Sequence, residues 1–191
     1  MAQGRREIRA LLEAHDFRPT KRRAKNYLAD PNLVDRIVRT AGIGPTDRVL
    51  EVGAGTGTLT RALAETGADV LSYETDQRLE PILEESLEGV SVDLRFEDVT
   101  RVDLVAALGE GSWTMVANLP YNIGTPLLLE TLRHVPALSR FVVMVQREVA
   151  DRLLAPPGSR TYGVPSVVVA LHADAGVAFT VSPAVFFPAP E

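Results

Sequence analysis

With 191 residues, 46% of them hydrophobic and 24% charged, the chain is long enough for one sizeable core and too short for two large ones. It has no cysteine and only three scattered histidines, which excludes a disulfide framework and a thiolate metal site and predicts no metal centre. The net charge of −5 is polarised: residues 1–40 hold ten Lys/Arg against five Asp/Glu, a balance of +5 that leaves −10 for the remainder.

No apolar run approaches the ~18 residues that span a membrane, and the basic N-terminus lacks the apolar core of a signal peptide, so no membrane partner and a cytoplasmic location are expected. In the first segment Arg18, Lys21, Arg22, Arg23 and Lys25 crowd together. Such a cluster can neutralise phosphates, which makes Lys21, Arg22, Arg23 and Lys25 candidate RNA contacts; a solvated basic face is the competing reading.

From residue 47 onward, short apolar or β-branched runs alternate with helical periodicity. Residues 47–52 (DRVLEV), 69–74 (DVLSYE), 91–96 (SVDLRF), 113–117 (WTMVA) and 140–146 (RFVVMVQ) read as strands of a sheet covered on both faces. LTRALAET, QRLEPILEESL, VDLVAAL, PLLLETLRH and REVADRLL lie between or after them at the length of crossover helices. The alternation implies an α/β fold with a doubly wound, mostly parallel sheet. Two further runs, 164–172 (VPSVVVALH) and 176–181 (GVAFTV), predict an antiparallel hairpin at one sheet edge and bring the expected strand count to seven. The expected division is a basic helical segment over 1–40, contributing to ligand and RNA binding, and a core over 41–191.

Ligands of such sheets sit beyond the carboxyl ends of the strands. The first of these strands ends in Glu51-Val52-Gly53-Ala54-Gly55-Thr56-Gly57, where Gly53, Gly55 and Gly57 allow a tight turn and a close backbone approach. The dinucleotide spacing G-x-G-x-x-G is not met, because its third glycine would fall on Thr58 or Thr60. E-x-G-x-G-x-G instead resembles the S-adenosylmethionine-dependent methyltransferases of Rossmann-like fold. Glu74 closes the second strand, where a carboxylate can accept from ribose hydroxyls, and Asp98 follows the third, where one can accept from an adenine amino group.

Asn118-Leu119-Pro120-Tyr121 ends the fourth strand, next to the first in a doubly wound order. An exocyclic adenine amine is a poor nucleophile, since its lone pair is delocalised into the ring. A side-chain oxygen and a backbone carbonyl that both accept from its protons would draw it toward tetrahedral geometry, with no general base needed. Pro120 would fix the carbonyl, and Tyr121 offers a ring for a flipped-out base.

Five stretches in order, "AKNYLADPNLVDRIV", "VLEVGAGTGTLT", "ANLPYNIGTPLL", "MVQREVADRLLAPPGSRTYG" and "VSPAVFFPAP", make the chain resemble the ribosomal RNA adenine dimethyltransferase family. Within it the resemblance is greatest to the bacterial branch that dimethylates two adjacent adenines near the 3′ end of 16S rRNA, rather than to the 23S rRNA enzymes of macrolide resistance. It implies S-adenosylmethionine as cofactor, 16S rRNA in the small subunit as partner and a monomeric enzyme. By position it implies cofactor contacts from Asn26, Leu28, Gly53, Glu74, Asp98 and Asn118. Asn118 would also orient the target amine, with Tyr121 stacking on the base and Phe186 as a second aromatic wall. Phe187 is the fallback, because adjacent side chains do not both face one pocket. Ala24-Lys25 stands where the family usually writes Gly-Gln. The small helical domain that family members carry after "FFPAP" is expected to be absent. A non-catalytic module of the same fold in ribosome assembly or transcription, and a nicotinamide-dependent oxidoreductase, are the competing functions.

Overall fold

The computed structural model describes residues 3–17, 26–121 and 123–189. Helix α1 (Arg5–Ala14) buries Ile8, Leu11 and Leu12. The short strand β1 (Tyr27–Leu28) and helix α2 (Pro31–Ala41) follow. The limits of α2 are set locally: the Asp30 carboxylate accepts from the N–H groups of Asn32 (2.9 Å) and Leu33 (3.3 Å), Pro31 opens the first turn, and Gly42 ends the helix in the left-handed region at φ 62°.

Five strands then alternate with helices: β2 (Arg48–Val52), α3 (Thr58–Ala64), β3 (Asp69–Tyr73), α4 (Glu80–Ser86), β4 (Asp93–Arg95), α5 (Leu104–Leu108), β5 (Trp113–Asn118), α6 (Gly124–His134), β6 (Leu138–Met144) and α7 (Arg147–Leu153). The strands form one parallel sheet in the order β4-β3-β2-β5-β6. Successive residues of each strand supply opposite faces. Leu50, Val52, Leu71, Tyr73, Met115 and Ala117 pack under α5, α6 and α7, whereas Val49, Val70 and Val116 pack under α2 and α3. A third apolar cluster joins α1 to Tyr27, Ala54 and α4. All five predicted strands and the helices between them are therefore present.

The predicted edge hairpin is not. Residues 164–172 form helix α8 (Val164–His172), and 176–181 carry no strand. The valine run favours a strand on propensity alone, but Pro165 lies in the first helical turn and suits a helix start. Burial of Ser166 and Val169, three residues apart, fixes the helical face. Ser166 Oγ also donates to the carbonyl of Arg152 at 2.6 Å, tying α8 to α7. Antiparallel pairing occurs elsewhere, between β1 and the strand β7 (Phe186–Phe187), with Leu28 opposite Phe186 and Tyr27 opposite Phe187. Among the described residues the main sheet thus has five strands rather than seven.

A strand would put residues 169 and 171 on the same face, while a helix puts them on different ones. Val169 is 6% exposed and Leu171 75%. Val169→Ala is expected to lower unfolding free energy by about 2 kcal/mol, and Leu171→Ala to stay within about 0.5 kcal/mol. Urea denaturation of both variants checks this, and equal losses would contradict the helical assignment.

Candidate active site

A cleft of about 500 Å³ opens at the carboxyl ends of β2, β3, β4 and β5. This is the crevice that parallel order creates where β2 is flanked by β3 on one side and β5 on the other. Ten of the residues expected from the sequence line it: Asn26, Leu28, Gly53, Gly55, Glu74, Asp98, Asn118, Leu119, Pro120 and Tyr121.

The glycine turn is held from both sides. Gly53 lies at φ 85° and Gly55 at φ 59°, and a Cβ on Gly55 would stand 3.0 Å from the ring of Tyr27. The Gly55 N–H donates to Glu74 Oε2 at 3.0 Å, while Glu74 Oε1 accepts from the N–H groups of Thr75 (2.7 Å) and Asp76 (2.9 Å). A 3% exposed carboxylate at the end of β3 is thereby fixed against the loop that leaves β2. Asp98, at the end of β4, accepts from the N–H (3.1 Å) and hydroxyl (2.7 Å) of Thr100. Those bonds to Thr100 hold its carboxyl below the usual carboxylate range.

At the end of β5 the chain turns sharply. The Leu119 N–H donates to Met144 O at 3.2 Å, and the Pro120 carbonyl accepts from Ile123 (3.2 Å) and Gly124 (2.8 Å) to start α6. No donor among the described residues reaches the Leu119 carbonyl. Asn118 Nδ2 donates to the backbone oxygen of Asn26 at 3.2 Å, and Asn26 Nδ2 donates to the Tyr121 hydroxyl at 3.2 Å. With its NH₂ engaged in this way, the Asn118 amide leaves its oxygen as the acceptor for another partner.

Two expected residues lie apart from the cleft wall. Gly57 precedes α3 at φ 81°, where a Cβ would lie 2.4 Å from Ser86 Oγ, so its bareness serves packing against α4. Phe186 is 6% exposed and belongs to the core cluster of Leu28, Leu33, Val34 and Val116. It does not line the cleft, because pairing of β7 with β1 turns it into that core. Phe187 does not line it either, and the Arg9 guanidinium lies 5.3 Å from its ring centre. Lys21, Arg22, Arg23 and Lys25 lie outside the described residues.

Two residues of the wall have no role assigned from the sequence, although Glu51 opens the E-x-G-x-G-x-G pattern. Glu51 is 1% exposed on β2, and burial pushes its carboxyl up to about 7, against the hydroxyls of Thr60 and Ser72 and with the charge of Glu74 adding to the rise. The signal was present as a lone carboxylate inside a run that reads as a strand covered on both faces. Tyr27 is 4% exposed, and burial, followed by Glu74 and Asp76, raises its phenol so that it stays protonated. Among the described residues no group of three or more His, Asp or Glu side chains could hold a metal ion.

A family model described as "Ribosomal RNA adenine dimethylase" matches residues 17–191. The chain belongs to the ribosomal RNA adenine dimethylase family. The "Ribosomal RNA small subunit methyltransferase A" of Corynebacterium jeikeium is 44% identical over 98% of this chain and 62% of its own length. That of Kineococcus radiotolerans is 45% identical over 97% and 63%. The dimethylase-family chain therefore spans less than two thirds of the length of these relatives. Among solved structures, a dimethyladenosine transferase from Plasmodium falciparum matches with TM-score 0.75 and 29% identity, over 86% of this chain and 59% of that one. The 23S rRNA methyltransferase ErmE matches with TM-score 0.59 and 31% identity, over 66% and 50%.

Glu51 also carries a prediction for the unliganded protein. Its folded value of about 7 lies above the ordinary 4.5, so between those pH values the unfolded chain ionises while the folded one stays protonated, and stability falls as pH rises through the window. Glu51→Gln lacks this penalty. Its melting temperature relative to wild type is expected to be several degrees higher at pH 8 than at pH 4.5, and a pH-independent difference would contradict the assignment.

Proposed function

We propose that the chain is the catalytic unit of an S-adenosylmethionine-dependent adenine-N6 dimethyltransferase acting on 16S rRNA of the small ribosomal subunit, as a cytoplasmic monomer. The observation that carries this is the convergence, on one cleft, of the Gly53–Gly55 turn, the Glu74 and Asp98 carboxylates and the Asn118-Leu119-Pro120-Tyr121 turn. Family membership and the names of the two bacterial relatives support the ribosomal substrate.

The donor set fits the cofactor. Glu74 presents acceptors for ribose hydroxyls, Asp98 for an adenine amino group, and the bare backbone at Gly53 and Gly55 admits a ligand where a side chain would collide. Bound there, the cofactor supplies an electrophilic methyl group. The remaining work falls to β5. Asn118 Oδ1 and the Leu119 carbonyl accept from the two protons of the target amine, which lowers its conjugation with the ring and directs its lone pair toward the cofactor side of the cleft. Of the two carbonyls beside Pro120, this role goes to Leu119, since that of Pro120 is engaged at the start of α6. Tyr121, anchored through its hydroxyl to Asn26, presents a ring to the base. The basic stretch Lys21, Arg22, Arg23 and Lys25, within the segment 1–40, adds phosphate contacts to a core over 41–191 that carries the chemistry.

Asn118→Ala is expected to reduce methyl transfer to immature small subunits by on the order of 10²-fold while changing cofactor affinity far less, as loss of a transition-state contact does. Glu74→Gln is expected to weaken S-adenosylmethionine by about 1–3 kcal/mol, roughly one to two decades. Methyl incorporation and calorimetric titration separate the two. Turnover by Asn118→Ala near the wild-type rate would overturn the catalytic assignment.

A further inference from the structure

The amine-activating and ribose-binding groups leave one buried carboxyl of the cleft without a task. Glu51 sits in the middle of the switch-point crevice, on β2, with Ser72 Oγ donating to its Oε2 at 2.7 Å. Among the described residues no Lys, Arg or His forms an ion pair with it. A carboxylate so buried, with a single hydroxyl hydrogen bond and no counter-ion, is costly to ionise.

Of the other ionisable groups on the cleft, Glu74 deepens that cost. Glu74, directly after β3, is a second carboxylate, whereas the Tyr73 side chain packs on the opposite face of the sheet, its phenol oxygen accepting from Arg95 at 3.4 Å. From β1 comes the protonated Tyr27, and from the end of β4 come Glu97 and Asp98 on the same cleft. Helix α3 offers only hydroxyls, because Arg61 turns away to the carbonyls of Ser86 (2.8 Å) and Glu88 (3.0 Å). The strand on the other side, β5, presents Asn118, which is neutral. Four acidic residues thus share a cavity wall to which no cation is contributed by its described lining.

We propose that Glu51 is the charge-selecting residue of this cavity: ionised, it favours a ligand of net positive charge, and binding of such a ligand drives the Glu51 proton into solvent. The proposal rests on the cofactor reading given above and adds a preference within it. S-adenosylmethionine carries a sulfonium and an ammonium against one carboxylate, whereas the demethylated product S-adenosylhomocysteine lacks the sulfonium and is neutral overall. An anionic wall therefore holds the methyl donor and lets the spent product go. The step is a simple exchange in which the Glu51 O–H bond breaks, the electron pair stays on the carboxylate, and the proton passes to buffer. The sulfonium makes the donor's ammonium more acidic than the product's, so the ligands' own titrations cancel only when the affinity ratio of the wild type is compared with that of Glu51→Gln.

The test is calorimetric titration of the chain with S-adenosylmethionine and with S-adenosylhomocysteine at pH 6 and pH 8. Relative to Glu51→Gln, the affinity ratio of donor to product is expected to rise by up to about tenfold across that interval in the wild type, as the ionised fraction of one group centred near 7 rises. In Glu51→Gln only the change due to the ligands' own titrations is expected to remain. Near pH 6.5, titration in buffers of different ionisation enthalpy should show more proton release for the donor than for the product. Should Glu51→Gln fail to fold, Ser72→Ala serves instead: it removes a hydroxyl that favours the carboxylate, so the midpoint of the rise moves to higher pH. The same pH dependence of the ratio in wild type and Glu51→Gln, or an unmoved midpoint in Ser72→Ala, overturns the proposal while leaving the cofactor assignment intact. Failure of the wild type to bind either ligand overturns the cofactor assignment, and the proposal with it.

Discussion

The position of β2 between β3 and β5 is the constraint on which the rest depends. The chain leaves β2 toward α3 on one face and returns for β5 from the other side of the sheet, so the loops after these strands part and a crevice opens between them. Every group assigned a role on the cleft lies on one of the diverging loops, at the carboxyl end of β2, β3, β4 or β5, or on the β1 segment. The crevice is not left slack. Glu74 gathers the amides of Gly55, Thr75 and Asp76, and Asn118 and Tyr121 are tied to Asn26. One side of the cleft is thus pinned by a carboxylate and the other by two amide side chains.

The cleft separates two kinds of electrostatic work. Its wall carries Glu51, Glu74, Glu97 and Asp98, suited to a polar, positively charged small molecule, while basic charge is concentrated in the first 40 residues. A polyanion attracted by the basic stretch would be repelled by the cleft wall, except where a neutral base can enter. In the proposed reaction, phosphate recognition and base recognition are consequently assigned to different parts of the chain.

Much of this was legible in the sequence because the strands are buried on both faces and read as unbroken apolar runs, and because a parallel sheet puts its ligand groups at strand ends. Gly53, Glu74, Asp98 and Asn118 could be placed from that rule alone. The failures have separate physical causes. Val164–His172 reads as a strand on β-branched content, and packing against α6 and α7 overrides that preference. The family resemblance implies a pocket role for Phe186, but the pairing of β7 with β1 depends on register across more than 150 residues, which no local pattern reveals. Gly57 belongs to the glycine motif, yet its contact is with α4, an element whose approach is set by tertiary packing. Glu51 was visible as a charge inside an apolar strand, and its significance lay in the neighbours that only the fold supplies.

The central claim is that the loops after β2, β3 and β5 form one ligand site in this chain. Hydrogen–deuterium exchange with and without saturating S-adenosylhomocysteine tests it most directly. The account predicts slowed exchange in three separate segments, 53–58, 74–77 and 118–124, with α8 and residues 176–181 unchanged. Slowing confined to one of the three, or centred on α8, would contradict it.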